Sequence, residues 1–170
     1  MDKTQRGVAR GMGLAMLTAI AAFAFSATYV PRVWAIGSDL TSRVTLASWA
    51  LLLPAFTLFF CIARLAKHRF FTPEDIHGSA LSDGTDKAKL LQALLQNTLE
   101  QSCLALPIYI ATSIIAPASL LPVVPAAAVM FLVGRSFFFA GYANGAASRA
   151  YGVALTFYPT VLLLFLLVTI

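Results

Sequence analysis

The sequence predicts an all-α integral membrane protein with five transmembrane helices. Three observations carry that expectation. The 170 residues are 59% hydrophobic and only 11% charged, whereas soluble domains carry about 25% charged residues. The apolar residues fall in blocks of about 20, and helical rise turns each block into roughly 30 Å, the thickness of a bilayer core. Within the blocks apolar and polar residues do not alternate, so they read as helices and not as strands of a membrane barrel. The same composition excludes a disordered chain, which needs low hydrophobicity and high charge.

The first block lies between Arg10 and Arg32 and contains Leu14-Ala15-Met16-Leu17. Its basic start and the small residues at Ala24-Phe25-Ser26-Ala27 are like those of a secretory signal. The apolar run is longer than a signal core, so the block reads as a retained helix. The second block runs from Arg43 to Arg64, with Leu51-Leu52-Leu53 and Phe59-Phe60. Leu90 to Ala116 is the third, interrupted by a few polar residues. The fourth starts near Val123 and ends about Ala147, and the last runs from about Tyr151 to Ile170. One soluble-looking stretch, 67–89, joins the second and third. There Thr72-Pro73-Glu74-Asp75 and Ser82-Asp83-Gly84-Thr85-Asp86 read as turns or helix starts.

The formal charge is +5, and its placement matters more than its size. Lys3, Arg6 and Arg10 precede the first span, and Arg64, Lys67, Arg69, Lys87 and Lys89 lie between the second and third. The loop from Pro31 to Ser42 holds Arg32 as its one Lys or Arg, and the link from Pro117 to Pro125 holds no charge. This alternation predicts a cytoplasmic N-terminus, a cytoplasmic 64–89 loop and a C-terminus on the far side. No basic stripe interleaved with aromatic residues appears, so no nucleic-acid partner is expected.

Several chemistries lack their signatures. Cys61 and Cys103 lie inside apolar spans and read as inert buried thiols. His68, Glu74, Asp75 and His77 match no metal-ligand spacing and read as solvated loop residues. There is no Gly-rich phosphate loop, nucleophile elbow or carboxylate pair.

The informative residues are polar ones in apolar helices. After Lys89 the charged residues are Glu100, Arg135 and Arg149, and a charge at bilayer depth costs about 2.5–3.5 kcal/mol on insertion scales. Asn97, Glu100 and Gln101 are spaced i, i+3, i+4 and share a face of the third helix. Arg135, Phe138 and Tyr142 form a stripe on the fourth, and Arg149 lies near the turn that follows it. The predicted topology brings these groups into one leaflet. Two compatible readings follow: a buried Glu100–Arg135 ion pair that locks two helices, or a ligand site. A third lets the long side chains snorkel to the interface. Asn144 and Ser148 read as interface hydrogen-bonding groups, and Tyr109, Tyr151 and Tyr158 as interface or packing aromatics. Gly141, Gly145 and Gly152 read as points of close helix contact.

On its membrane helix, Asn97-Thr98-Leu99-Glu100-Gln101 resembles the Asn-x-x-Glu segment of the MAPEG superfamily. That name covers membrane-associated proteins in eicosanoid and glutathione metabolism, including the microsomal glutathione transferases. Gly134-Arg135, Gly141-Tyr142 and Arg149-Ala150-Tyr151-Gly152 are similar to the family's second signature in order and spacing. The resemblance covers the second to fifth spans. It implies a MAPEG-like four-helix transmembrane bundle over 41–170, with 1–40 as an extension carrying one extra N-terminal transmembrane helix. It implies a bacterial inner-membrane homotrimer in the lipid bilayer, with glutathione as cosubstrate in clefts between subunits near the cytoplasmic side. Asn97, Glu100, Gln101, Arg135, Phe138 and Tyr142 would then bind substrate, with Glu100 facing the glutathione amino group. Arg149 would be catalytic, holding the thiolate.

The implied activity is conjugation of glutathione to a small apolar electrophile, or reduction of a lipid peroxide. The chemistry is coherent on its own terms. Glutathione carries two carboxylates and needs fixed cations, and a guanidinium lowers a thiol pKa from about 8.5 to yield the nucleophile. Three positions depart from the pattern of active members: Ala93 where Arg is common, Gln101 where Tyr is common, and Phe138 where some carry Tyr. The alternative is therefore a non-catalytic trimeric protein of the same fold, whose polar face is structural or binds another small anion. A transporter would favour paired half-repeats with broken helices, and only Pro54 and Pro107 hint at breaks.

Overall fold

The computed structural model describes residues 1–170 except Ala35, Ser79, Ala80 and Ser82. Ser82, part of the second turn signal, lies outside the described residues. Helix α1 spans Lys3–Thr28, a single turn α2 spans Val30–Val33, and α3 spans Leu40–Phe71. Helices α4 (Asp86–Ile115), α5 (Val123–Gly141) and α6 (Ala146–Thr169) complete the chain. Five of these helices are long and apolar enough to cross a membrane, and no strand occurs among the described residues. The protein is an all-helical integral membrane protein, as its composition requires.

Local chemistry sets the helix ends. Asp2 caps α1 reciprocally with Gln5: the Gln5 N–H donates to Asp2 Oδ1 at 2.6 Å, and the Asp2 N–H donates to Gln5 Oε1 at 2.9 Å. Asp39 caps α3 through the Ser42 N–H, and Thr85 caps α4 through the Ala88 N–H. Helix α3 continues two turns past Arg64, so Lys67 and His68 are helical and not in a loop. It stops where Pro73 forces Thr72 into extended backbone. Helix α6 starts at Ala146, because Gly145 at φ +92° breaks the path from α5. Arg149 therefore sits in the first turn of α6.

Helix α5 lies along α6, and α3 pairs with α4. The α5–α6 seam is closed by glycine. A Cβ on Gly152 would collide with the Phe138 backbone nitrogen, and one on Gly134 would meet the Thr156 nitrogen at 2.9 Å. Gly141 is equally tight against Ser148, whereas Gly145 meets nothing and serves only its backbone conformation. Helix α1 runs parallel to α6: Gly7 abuts Ala147, Gly11 abuts Ala150 and Tyr151, and Ala15 and Ala19 pack with Ala154 and Leu155. Tyr109 is fully buried in the core between α3, α4, α5 and α6, so it is a packing residue and not an interface one.

At one end Arg43 donates to the carbonyls of Ser113, Ile114 and Ala116 at 2.7–3.1 Å and so closes the C-terminus of α4. The starts of α1, α4 and α6 and the ends of α3 and α5 gather at the opposite, basic end. That end holds Lys3, Arg6, Arg10, Arg64, Lys67, Arg69, Lys87, Lys89 and Arg149.

The connection from α3 to α4 is fastened at Asp75. Asp75 is 1% exposed, which corrects its reading as a solvated loop residue. Its carboxylate accepts the Thr85 N–H at 2.8 Å and the Thr85 hydroxyl at 2.7 Å, with His68 Nε2 at 2.9 Å. The short sequence Thr72-Pro73-Glu74-Asp75 folds back on the α4 cap, so the carboxylate replaces its lost water with three partners. The Thr85 bonds above all, and then His68, hold the Asp75 carboxyl below its usual range. This carboxylate therefore stabilises the fold above its unfolded pKa, about 3.9, and that contribution is lost as pH falls through the lower folded value. Thermal unfolding in detergent should show wild type losing stability below about pH 4. Asp75→Asn should be weaker at pH 7 and flatter through that range. Parallel profiles would exclude the latch.

Candidate functional site

The polar residues of α4, α5 and α6 meet toward the basic end of the bundle. Arg135 on α5 is fully buried. Its Nε donates to Thr156 Oγ1 on α6 at 3.1 Å, and its Nη1 donates to Asn97 Oδ1 on α4 at 2.7 Å. Thr156 passes its own proton to the Gly152 carbonyl at 2.9 Å. The guanidinium lies over the Phe138 ring at 4.4 Å. Among the described residues its Nη2 has no hydrogen-bond partner and no acidic side chain pairs with it. One ion pair, His68–Asp75, occurs among the described residues.

The Glu100–Arg135 ion pair expected from charge placement does not form. Glu100 is exposed on the flank of α4, where its Oε1 accepts from Gln96 Nε2 at 3.0 Å. The reason is rotational. At about 100° per residue, Glu100 lies roughly 60° to one side of Asn97 and Gln101 roughly 40° to the other. Asn97 turns inward to Arg135 and is half-buried, as is Gln101, while Glu100 turns outward.

From Arg135 a column of rings leads toward the surface. The Phe138 ring meets the Tyr142 ring edge-on at 5.2 Å, and the Arg149 guanidinium lies over Tyr142 at 4.5 Å. Arg149 is half-buried, and its guanidinium donates no hydrogen bond to the described residues. The structure thus joins Asn97, Arg135, Phe138, Tyr142 and Arg149, and leaves Glu100 and Gln101 on the adjoining flank. Asn144 and Ser148 are exposed at the α5–α6 turn.

The arrangement fixes the Asn97 amide. Because Oδ1 accepts from the guanidinium, Nδ2 is the end left to donate. Arg135 thereby sets the orientation of the Asn97 amide.

Sequence reasoning missed two contributors. Thr156 supports Arg135 across the α5–α6 seam, and a threonine in an apolar run gives only a weak signal. Arg69 at the end of α3 reaches the α4 flank one turn before Asn97, where its Nη2 donates to Gln92 Oε1 at 3.2 Å. With Lys89, Gln92, Ala93 and Gln96 it lines a cleft of about 370 Å³. A cation thus borders Ala93 from a different helix. Among the described residues no three His, Cys, Asp or Glu side chains come together as metal ligands. Cys61 and Cys103 are both free, Cys61 buried and Cys103 exposed on α4, so the buried-thiol reading applies to Cys61 alone.

A family model, that of the MAPEG family, matches residues 44–169. No curated protein and no solved structure matches the chain significantly.

Proposed function

The chain belongs to the MAPEG family, and from that premise we propose that it is a homotrimer binding glutathione and transferring it to apolar electrophiles. The observation that carries this reading is Arg135, a guanidinium at membrane depth with no counter-anion and one unsatisfied amino group among the described residues. Such a group is costly to bury, and an ionisable residue at that depth marks a functional site by default. Arg135 holds Asn97 beside the flank where Glu100 and Gln101 supply an acid and an amide, and the adjoining cleft supplies two cations, Arg69 and Lys89, with Asp83 and the latched Asp75 also lining it. A tripeptide with one amino group and two carboxylates complements that set. Asn97, Glu100, Gln101 and Tyr142 would bind it, and Arg135 and Phe138 would support them from behind. An exposed Glu100 on a lateral helix face also needs cover from lipid, and a neighbouring subunit would provide it.

Arg149 carries the chemical step. Always charged, it cannot serve as a base, so its contribution is electrostatic. The thiol proton leaves to solvent, the thiolate attacks the electrophilic carbon, a C–S bond forms, and the leaving group departs with its electron pair. With a lipid hydroperoxide, two glutathiones would be consumed, giving the disulfide, the alcohol and water. The second reading, a trimer of this fold without chemistry, is favoured at one point: Phe138 offers no hydroxyl to the site.

Glutathione binding to the native state must raise its apparent stability. Titrated into the detergent-solubilised protein, it should raise the melting temperature of wild type and not of Glu100→Leu. A shift retained in Glu100→Leu would remove that residue from the site. No shift in wild type would favour the second reading.

The basic end faces the cytoplasm in this account. A cysteine at Asp83 should react with an impermeant maleimide only from inside the cell, and one at Ser119 only from outside. Reaction of both from one side would overturn the orientation.

A further inference from the structure

We propose that a slot between α1 and α6 binds a single-chain amphiphile with an anionic head, seated with that head on Arg149. The slot has a volume of about 320 Å³ and is walled by Val8 and Met12 from α1 and by Val153, Phe157 and Tyr158 from α6. Small ligand sites begin at about this size and are mostly apolar. Its floor follows Ala146, Ala150 and Ala154, one residue per turn of α6. Small side chains there leave a groove running along the helix axis instead of a closed pocket.

Length identifies the occupant. From Ala146 to Tyr158 the groove extends about 18 Å at helical rise, close to half of a ~30 Å hydrocarbon core. It therefore holds about one leaflet's depth of chain. Among the described residues, Arg149 is the one charged side chain lining it. It sits at the basic end, and its guanidinium is held by a ring face and not by a hydrogen bond to the described residues. Its five N–H donors suit a carboxylate, which accepts two of them side by side. A single acyl chain ending in a carboxylate meets both demands at once.

The slot is a property of this chain's extra helix. Residues 44–169 match the family, and the α1 wall lies before them. Helix α1 is close enough to form that wall because Gly7 and Gly11 let its backbone approach Ala147 and Tyr151. Binding needs no glutathione, so its test is separate from the transferase reading. Only one consequence rests on that reading: a carboxylate seated on Arg149 would compete there with the glutathione thiolate.

The probe is hexadecanoic acid carrying a diazirine near its tail, irradiated with the full-length protein in phosphatidylcholine nanodiscs. Crosslinks from the tail should map to the α6 segment around Phe157 and to the α1 segment level with it, around Leu17. Unlabelled hexadecanoic acid should displace the probe about tenfold better than its methyl ester, the worth of one charge-assisted contact. Arg149→Gln should bring acid and ester level. Val153→Trp, which fills the slot from α6, should abolish the crosslinks, and Met12→Trp repeats that test from the other wall if the first variant fails to fold. Crosslinks spread evenly over the lipid-facing helices would overturn the proposal, as would equal competition by acid and ester in wild type. Displacement by a two-chain phosphatidic acid as effective as by the single-chain acid would also overturn it, and would assign the groove to bilayer phospholipid.

Discussion

Arg149→Ala is expected to leave glutathione bound while returning its thiol toward the free pKa of about 8.5. The guanidinium lies over Tyr142 with its N–H groups uncommitted to the described residues, so its removal breaks no fold contact beyond that stack. What is lost is a fixed positive charge beside the sulfur. Each unit by which the thiol pKa rises corresponds to about 1.4 kcal/mol of lost thiolate stabilisation. Two units would leave only a few per cent of the bound thiol ionised at neutral pH, and turnover should fall by about tenfold or more. Thiolate absorbance of the bound tripeptide against pH reads the shift directly. A titration unchanged by the substitution, or a wild type without thiolate at pH 7, would remove Arg149 from the chemistry.

Arg135→Met is expected to separate function from stability. Arginine at this position donates to Thr156 and Asn97, and hydrogen bonds to charged groups are worth about 1.5–3 kcal/mol each. Against them stands the desolvation of a buried cation with no counter-anion among the described residues, several kcal/mol. Methionine fills similar space along the Phe138 ring without that cost. Thr156 keeps its bond to the Gly152 carbonyl, and half-buried Asn97 can turn to water. Thermal stability in detergent should therefore hold or rise, by up to about 1–4 kcal/mol. Glutathione affinity should fall by at least about tenfold, because the Asn97 amide loses its orientation. A collapse of stability, restored by Arg135→Lys, would make the residue a structural lock instead.

The fold was legible because membrane insertion imposes one length and one charge bias. Blocks of about 20 apolar residues have few alternatives to spanning helices, and the clusters at Lys3–Arg10 and Arg64–Lys89 do gather at one end. Helix limits were less legible. The end of α3 is set by Thr72-Pro73 and the start of α6 by Gly145, not by where hydropathy changes. The candidate site was half visible. Residue spacing put Arg135, Phe138 and Tyr142 on one stripe, and they form one column with Arg149. Spacing cannot give a helix's rotation against its neighbours, so Asn97 and not Glu100 proved to be Arg135's partner. Cross-helix support from Thr156, and Arg69 beside Ala93, depend on packing between segments far apart in sequence.

The central claim is that the Asn97–Glu100 flank of α4 and the Arg135–Arg149 column form a glutathione site completed by a neighbouring subunit. Native mass spectrometry of the protein released from nanodiscs, with and without glutathione, tests it most directly. The expected result is a trimer that gains glutathione masses, a Glu100→Leu protein that gains none, and no glutathione on any monomer. Glutathione carried by a monomer, or a wild-type trimer that takes up none, would contradict it.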